Sequence, residues 1–367
     1  MTPGQERVFV IAEAGVNHNG SLDLARRMID VAADAGADAV KFQTFHAEAL
    51  VTADVPKAAY QAKATDADEG QLAMLKRLEL GEAAHQNLLA HCAKRNIQFL
   101  STPFDEESVD FLATGLGLPL LKIGSGEITN APLLLRAART GKRLIVSTGM
   151  STLEEIKDAL SVFAFGYTQS QAEPSLAGFA TAFEDEAGKK ALRDKVTLLQ
   201  CTTEYPAPAD EVNLRAMETL RDVFGLRVGL SDHTEGITVP IAAAAREAAV
   251  IEKHFTLDRA LPGPDHAASL APDQLRAMVA GIRMAEAALG SPDKKPVPSE
   301  LANREIARRQ IVARRPIPKG HRLTAGDVAV KRAAAGLDPM RYWEILGKPA
   351  NRDYRSDEGI DSEMCGQ

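Results

Sequence analysis

Short apolar runs rich in Val, Ile and Leu alternate with longer amphipathic stretches through about the first 290 residues of the chain. The amphipathic stretches have helical spacing, as in LDLARRMIDVAADAG and TLEEIKDALSVFA. Regular alternation of strand and helix is typical of a parallel sheet. The runs that we expect to form strands are RVFVIAE, DAVKFQ, IQFLST, PLLKIG, RLIVST, VTLLQC, RVGLSD and AVIEKHF.

Eight strands predict an α/β fold, the closed (β/α)8 TIM barrel. A doubly wound open sheet is the alternative, but no GxGxxG follows the first strand and no GxxxxGK[ST] occurs in the sequence. We place the barrel at residues 1–290. The segment SPDKKPVPSE begins a linker at residues 291–305, and a small domain follows at residues 306–367. Its segment IVARRPIPKGHRLTAGDVAVKR predicts two strands joined by a turn.

Composition excludes several functional classes. The formal charge of -7 argues against non-specific binding of nucleic acid, which requires a basic surface. No run approaches the roughly 18 apolar residues of a membrane span, and the N-terminal segment lacks the pattern of a signal peptide. The three cysteines are scattered and show no disulfide or metal spacing. We therefore expect a cytoplasmic protein.

Two segments interrupt the regular alternation. The segment at about residues 46–79 is too long for a simple connection, and we expect it to cover the mouth of the barrel. The segment at about residues 166–189 is rich in Gln, Ser, Ala and Glu, and we expect a mobile surface insertion there.

Two histidines end neighbouring strands of the predicted barrel. His233 follows VGLSD and His254 follows VIEK, one strand–helix repeat apart. Because neighbouring parallel strands place their carboxyl ends side by side, the two imidazoles can converge on one divalent metal ion. A hydrogen bond from each imidazole to a nearby loop is the alternative interpretation.

Two lysines lie within predicted barrel strands, at Lys41 and Lys122. A lysine inside an apolar strand requires an anion to offset the cost of burial. The nearby turns IGSGE and STGM are rich in Gly and hydroxyl groups, and they suit a phosphate, which backbone N–H groups and ammonium groups bind together. The sequence therefore predicts a phosphate-bearing substrate, although any single strand-end Ser or Thr can instead be a helix cap.

The motifs resemble those of one family. Nine segments are similar, in order, to the signatures of the bacterial N-acetylneuraminate (sialic acid) synthase family. They are AEAGVNHNGS, VKFQTF, FLSTPFD, KIGSGEITN, STGM, CTTEYPAP, GLSDH, EKHFTLD and PGPDHAASL. PIPKGHRL, VKR and MRYWEILGK resemble its C-terminal antifreeze-like (SAF) domain. The resemblance covers about residues 8–350, and nine motifs in order with both domains present are highly specific.

The resemblance implies a transferase that condenses phosphoenolpyruvate with an N-acyl-mannosamine-type sugar and releases phosphate. N-acetylmannosamine is the first choice of acceptor. The alternative acceptor is a 2,4-diacetamido-2,4,6-trideoxyhexose, which gives legionaminate or pseudaminate. A noncatalytic carbohydrate-binding protein is an alternative of another class, and so is a barrel metal hydrolase, which would need more metal ligands on the first strand.

The resemblance also assigns residues. It implies a divalent ion on His233 and His254, with manganese preferred and magnesium or cobalt as alternatives, and a catalytic role for Glu13 beside these histidines. The positions that would bind phosphoenolpyruvate are Lys41, Thr102, Lys122, Ser125, Ser147 and Ser231. Those that would bind the sugar are Gln43, Glu127, Tyr205, Asp265 and Arg332.

A domain-swapped homodimer is implied as well, in which Arg332 of the SAF domain completes the sugar site of a second subunit. The chain departs from the family pattern in the AAAG that follows VKR, where many relatives have a Pro-Gly turn. That departure predicts an altered geometry for the loop next to Arg332.

Overall fold

A computed structural model of the chain describes residues 7–52, 55–57 and 70–365. The chain divides between Gly290 and Ser291 into two compact units. Each unit has its own hydrophobic core. Residues 53–54 and 58–69, within the segment expected to cover the mouth of the barrel, lie outside the described residues.

The first unit is built on eight parallel strands in the order β3-β2-β1-β8-β7-β6-β5-β4. The strands β3 and β4, at the two ends of this order, are in contact and close the ring without a hydrogen-bonded ladder. The predicted TIM barrel is confirmed, and each strand lies within two residues of its predicted position. The bounds are β1 Phe9–Gly15, β2 Ala39–Thr44, β3 Gln98–Pro103, β4 Leu120–Ile123, β5 Arg143–Ser147, β6 Val196–Cys201, β7 Arg227–Asp232 and β8 Val250–His254.

Helices surround the strands and bury one apolar face each. In α1, Ser21 caps the N-terminus by accepting a hydrogen bond from the Leu24 amide, and Met28 and Ile29 are buried. The bounds are α1 Leu22–Asp34, α2 Ala47–Leu50, α3 Gln71–Leu78, α4 Glu82–Arg95, α5 Glu106–Asp110, α6 Ala131–Arg139, α7 Leu153–Thr168, α8 Leu176–Glu184, α9 Glu186–Lys195, α10 Ala216–Phe224, α11 Thr238–Ala245 and α12 Pro272–Leu289. None of the helices among the described residues has the length and apolar content needed to cross a bilayer.

The barrel interior changes from apolar to polar within two residues along each strand. A cluster of inward-facing apolar side chains fills the lower part, and its members are Ile11, Ala39, Leu100, Leu120, Ile145, Leu199 and Val250. Successive side chains of a strand point to opposite sides, so the next inward position lies two residues further on. Those positions are Glu13, Lys41, Thr102, Lys122, Ser147, Cys201 and Glu252. The strand period therefore collects ionisable and hydroxyl groups in one layer directly above an apolar one.

The second unit is a small β-rich domain. It contains α13 Pro298–Ala307, the strands β9 Arg309–Ala313 and β10 Val328–Arg332, and α14 Tyr342–Ile345. β9 and β10 pair antiparallel, as the strand–turn–strand pattern predicts, and Val330 opposes Ile311. Its core includes Leu337, Ile345 and Tyr354.

Two segments differ from their predicted character. The segment at residues 166–189, expected as a mobile insertion, contains α8 and the first turn of α9, and the ring of Phe179 on α8 packs edge-on against Phe165 at 5.1 Å between centroids. The segment predicted as a linker at residues 291–305 contains most of α13. Both segments contain Ala, Leu and Glu, whose high helix propensity favours helices despite the polar composition.

Gly229 on β7 occupies the apolar layer where no side chain fits. A Cβ atom there would lie 2.2 Å from the carbonyl oxygen of Val250 on β8. We expect Gly229→Ala to lower the free energy of unfolding by about 3 kcal/mol, since the strands must move apart to accept the methyl group. Urea unfolding checks this. The control is Gly81→Ala, where a Cβ meets no atom within 4 Å; an equal loss in both variants would contradict the steric explanation.

Candidate active site

A pocket of about 320 Å³ opens at the carboxyl ends of the barrel strands. Every site residue predicted in the barrel lines it, namely Glu13, Lys41, Gln43, Thr102, Lys122, Ser125, Glu127, Ser147, Tyr205, Ser231, His233, His254 and Asp265. Arg332 lies exposed on β10 in the second unit, and its role in sugar binding stays a prediction. The domain-swapped homodimer also stays a prediction.

The two predicted lysines lie at the floor of the pocket and are buried. The Nζ atom of Lys41 donates to the Thr102 hydroxyl at 2.9 Å. The Nζ atom of Lys122 donates to the Ser147 hydroxyl at 2.7 Å. Ammonium groups held by hydroxyls on neighbouring strands form a fixed cationic surface, which is suited to an anionic ligand.

A carboxylate that the sequence analysis did not select lies between these lysines. Glu252 on β8 is 3.4 Å from Lys122 Nζ and 3.8 Å from Lys41 Nζ, and it accepts a hydrogen bond from Ser231 at 3.0 Å. Burial opposes its charge, but Lys122 and Lys41 lower the pKa of Glu252 to about 2. A signal was present in the sequence, because the period of two in VIEKH places Glu252 and His254 on the same inward face.

Glu13 has the opposite electrostatic character. Its Oε2 lies 2.9 Å from Lys41 Nζ, and its side chain is almost completely buried. Burial raises the pKa of Glu13 to about 7, with Lys41 opposing the rise and Glu252 adding to it. Two carboxyl groups that share one lysine are thus held at very different pKa values, and a carboxyl group that titrates near neutrality can exchange a proton with a substrate.

The two predicted metal-binding histidines are brought together at the mouth of the pocket, with 5.4 Å between ring centroids. The Nδ1 of His233 donates to the Thr202 carbonyl oxygen at 2.7 Å, which leaves Nε2 for another ligand. The Nδ1 of His254 is buried and has no hydrogen-bond partner among the described residues. Burial, followed by the charge of His233, lowers the pKa of His254 well below its usual range, so its imidazole is neutral.

These imidazoles fit a divalent ion. A neutral buried imidazole with an unpartnered nitrogen, as at His254, is the form that coordinates a metal. Asp265 lies nearby, with Oδ2 at 4.0 Å from His254 Nδ1, and burial raises its pKa to about 6. Within residues 7–52, 55–57 and 70–365, no group of three or more His, Cys, Asp and Glu side chains is arranged to hold a metal. Two protein ligands would leave positions open for water and substrate oxygens.

One wall of the pocket is apolar. It is formed around α2 and α3, the described parts of the segment that the sequence analysis expected to cover the barrel mouth. The side chains in this wall are Val16, Leu50, Val51, Met74, Leu75, Leu78 and Phe104. The polar groups Gln43, Glu127 and Tyr205 also line the pocket, and Tyr205 packs against His233 at 4.1 Å between ring centroids.

Two family sequence models and several relatives match this chain. The sequence model of the NeuB family matches residues 28–294, and the SAF domain model matches residues 308–364. The chain is 48% identical to N,N'-diacetyllegionaminic acid synthase of Campylobacter jejuni, over 97% of this chain and 99% of that protein. It is 45% identical to the enzyme of the same name from Legionella pneumophila, over 92% of this chain and 89% of that protein.

A solved structure has the same fold. The N-acetylneuraminic acid (sialic acid) synthetase of Leptospira borgpetersenii, in complex with citrate, is 34% identical. The likeness has a TM-score of 0.66 and covers 82% of this chain and 91% of that one.

The position of Glu252 between two lysines predicts a measurable response to anions. Glu252→Gln should lower the free energy of unfolding by about 3 kcal/mol, because it leaves two buried ammonium groups without their shared carboxylate. Inorganic phosphate should then raise the melting temperature of this variant more than that of the unaltered protein.

Differential scanning fluorimetry across a phosphate series measures both effects. The matched control is Glu127→Gln, because Glu127 lines the same pocket but hydrogen-bonds Asn130 at 2.8 Å and forms no ion pair with either lysine. Equal phosphate responses in the two variants would count against Glu252 as the internal counterion.

Proposed function

The chain belongs to the NeuB family, and on that premise we propose that it is a nonulosonic acid synthase that condenses phosphoenolpyruvate with the open-chain aldehyde of an N-acyl amino sugar. The observation that carries this proposal is the floor of the pocket, where Lys41 and Lys122 are buried and bonded to Thr102 and Ser147. Phosphoenolpyruvate carries a carboxylate and a phosphate on a three-carbon skeleton, so it requires two cationic groups close together.

The lysines and the surrounding hydroxyls would hold phosphoenolpyruvate. Glu252 offsets part of the charge of both lysines when no anion is bound, which keeps the cationic surface in place at a tolerable electrostatic cost. Ser125 donates no hydrogen bond to the lysines but accepts one from the Gly149 amide at 3.0 Å, which fixes the two Gly-rich turns beside the anion. The pocket is therefore preorganised for an anion.

His233 and His254 would hold the divalent ion, for which manganese is the first choice. When bound, the ion supplies Lewis-acid polarisation of the aldehyde oxygen. The hydrogen bond from His233 to the Thr202 carbonyl fixes the ring and its tautomer, so that Nε2 faces the pocket.

Glu13 is suited to the proton transfer that the reaction requires. The C2=C3 π pair of the enol ester forms the bond from C3 to the aldehyde carbon, and the C=O π pair moves to the aldehyde oxygen, which takes up one proton. A water oxygen then bonds to C2, and the C2–O bond to phosphate breaks, so that a ketone remains at C2 and the second proton of the water leaves with phosphate. The attacking water must give up a proton, and Glu13, with its pKa near 7, can accept it. Lys41 holds the Glu13 carboxylate at 2.9 Å and orients it toward the pocket.

The acceptor is proposed to be a 2,4-diacetamido-2,4,6-trideoxyhexose, which makes the product N,N'-diacetyllegionaminate. Two relatives with 48% and 45% identity carry this activity in their names, and they move the preference away from N-acetylmannosamine, the first choice from the motifs. The apolar wall supports the same acceptor. A deoxy C6 methyl group and a second acetamido methyl group suit Met74, Leu75 and Leu78 better than a C6 hydroxyl does.

A panel of acceptors tests this proposal. With phosphoenolpyruvate and manganese, we expect kcat/KM for 2,4-diacetamido-2,4,6-trideoxymannose to exceed that for N-acetylmannosamine by about tenfold or more, as for other discriminations by an apolar pocket. Phosphate release measures the rate, and mass spectrometry identifies the product. The reverse ranking would restore N-acetylmannosamine as the acceptor, and no phosphate release with any sugar would refute the synthase.

Glu13→Gln separates binding from catalysis. The amide keeps the size of the side chain but cannot accept the proton, so we expect kcat to fall by roughly 10²-fold to 10⁴-fold. Phosphoenolpyruvate binding, measured by isothermal titration calorimetry, should change little because Lys41 and Lys122 remain. A variant that keeps wild-type turnover would remove Glu13 from the reaction.

A further inference from the structure

A buried ion pair lies between β7 and β8, among residues that do not line the pocket. The Nζ atom of Lys253 is 2.5 Å from Oδ2 of Asp232, and each side chain is only 1% exposed. The two residues are direct partners in the β7–β8 ladder. Each immediately precedes one of the two histidines, His233 and His254.

We infer that the Lys253–Asp232 pair is a positioning element that fixes the separation of His233 and His254 and thereby sets the affinity of the site for a divalent metal. The inference deepens the proposed function and rests on its metal site. Neither residue touches the ion or the substrate in this proposal. Both act through the backbone that carries the imidazoles.

The contacts of Lys253 hold the backbone on both sides of His233. Its ammonium group bonds to the Asp232 carboxylate before His233 and to the Thr234 carbonyl oxygen after it. Asp232 closes the same loop by accepting from the Thr234 amide at 3.0 Å and from the Thr234 hydroxyl at 3.1 Å. The turn that carries His233 is therefore attached to one side chain of β8.

That side chain belongs to the residue next to His254. Lys253 points away from the barrel interior, because Glu252 and His254 on either side of it point inward. The backbone of His254 is fixed further by its carbonyl, which accepts from the Leu270 amide at 3.0 Å. The carbonyl of His233 accepts from the Ala207 amide at 2.9 Å. The ammonium group of Lys253 thus joins the turn that carries His233 to the end of β8 that carries His254. We expect its removal to let the distance between the two imidazoles increase.

The energetics favour a positioning role over a purely stabilising one. The net stability gained from a buried ion pair is small, since desolvation of both charges cancels much of their attraction. A well-packed neutral pair at this place could serve stability equally well. A lysine that bonds two groups in fixed directions provides orientation, and a metal site with only two protein ligands depends on the orientation of both.

The test compares the double substitution Asp232→Asn/Lys253→Met with the unaltered protein. The double variant leaves no buried charge unpaired, and an Asn can still accept from the Thr234 amide, so folding should be preserved. Binding of Mn²⁺ to the substrate-free protein is measured by electron paramagnetic resonance, and stability by thermal unfolding. We expect the Kd for Mn²⁺ to rise roughly tenfold, with a melting temperature close to that of the unaltered protein.

Lys253→Met alone is the second variant, and we expect at least the same loss of Mn²⁺ affinity together with reduced stability, because Asp232 keeps a buried charge without a partner. The matched control is Arg283→Met, which breaks an ion pair with Asp38 at 2.6 Å. That pair lies at the opposite end of the barrel, where Asp38 also accepts from the Val10 amide at 2.8 Å. This control should lose stability and keep its affinity for Mn²⁺.

Three results would overturn the inference. The first is an unchanged Kd in a folded double variant. The second is a loss of Mn²⁺ affinity in Arg283→Met as large as in the double variant, which would show that affinity only follows general stability. The third is Mn²⁺ binding that His254→Ala does not weaken in the otherwise unaltered protein. Only the third result would refute the proposed metal site as well, so failure of the inference and failure of the metal site remain distinguishable.

Discussion

Four charges buried in one layer of the barrel determine what this site can do. Glu13, Lys41, Glu252 and Lys122 lie side by side at the floor of the pocket, joined by contacts of 2.9, 3.8 and 3.4 Å. None of them could remain charged alone at this depth, because desolvation of an isolated ion costs several kcal/mol. Together they form an alternating array whose positive members remain available to a stronger anion.

The array also explains why two carboxyl groups in one pocket differ chemically. Glu252 contacts both lysines and has a pKa of about 2, so it is a permanent anion. Glu13 contacts only Lys41, and burial raises its pKa to about 7. One layer of the barrel therefore supplies a fixed counterion on β8 and a group that can exchange protons on β1, and the difference comes from the number of neighbouring cations.

Most of the fold and much of the candidate site could be predicted, because the alternation of inward and outward side chains can be read within each strand segment alone. Inward positions two residues apart put Lys41, Lys122 and His254 at the carboxyl ends, and the structure places them in one pocket. The prediction failed for a segment that was judged by its polar composition alone, without the contacts that its apolar side chains make in the fold. Residues 166–189 were expected to be mobile, whereas Phe179 packs against Phe165 and holds α8 in place. Glu252 was missed although the period of two places it inward beside His254, because the strand sequence does not show that two lysines of other strands are its partners.

The sequence by itself determined the class of fold, the face of each strand that points inward, and the identity of the groups at the barrel mouth. These depend on residue type and spacing along one segment. Only the tertiary structure decided which carboxylate meets which lysine, that His254 is neutral, and that Lys253 joins the segments of both histidines. Those properties depend on distances of a few ångströms between strands that are far apart in sequence, and on the burial that closure of the barrel imposes.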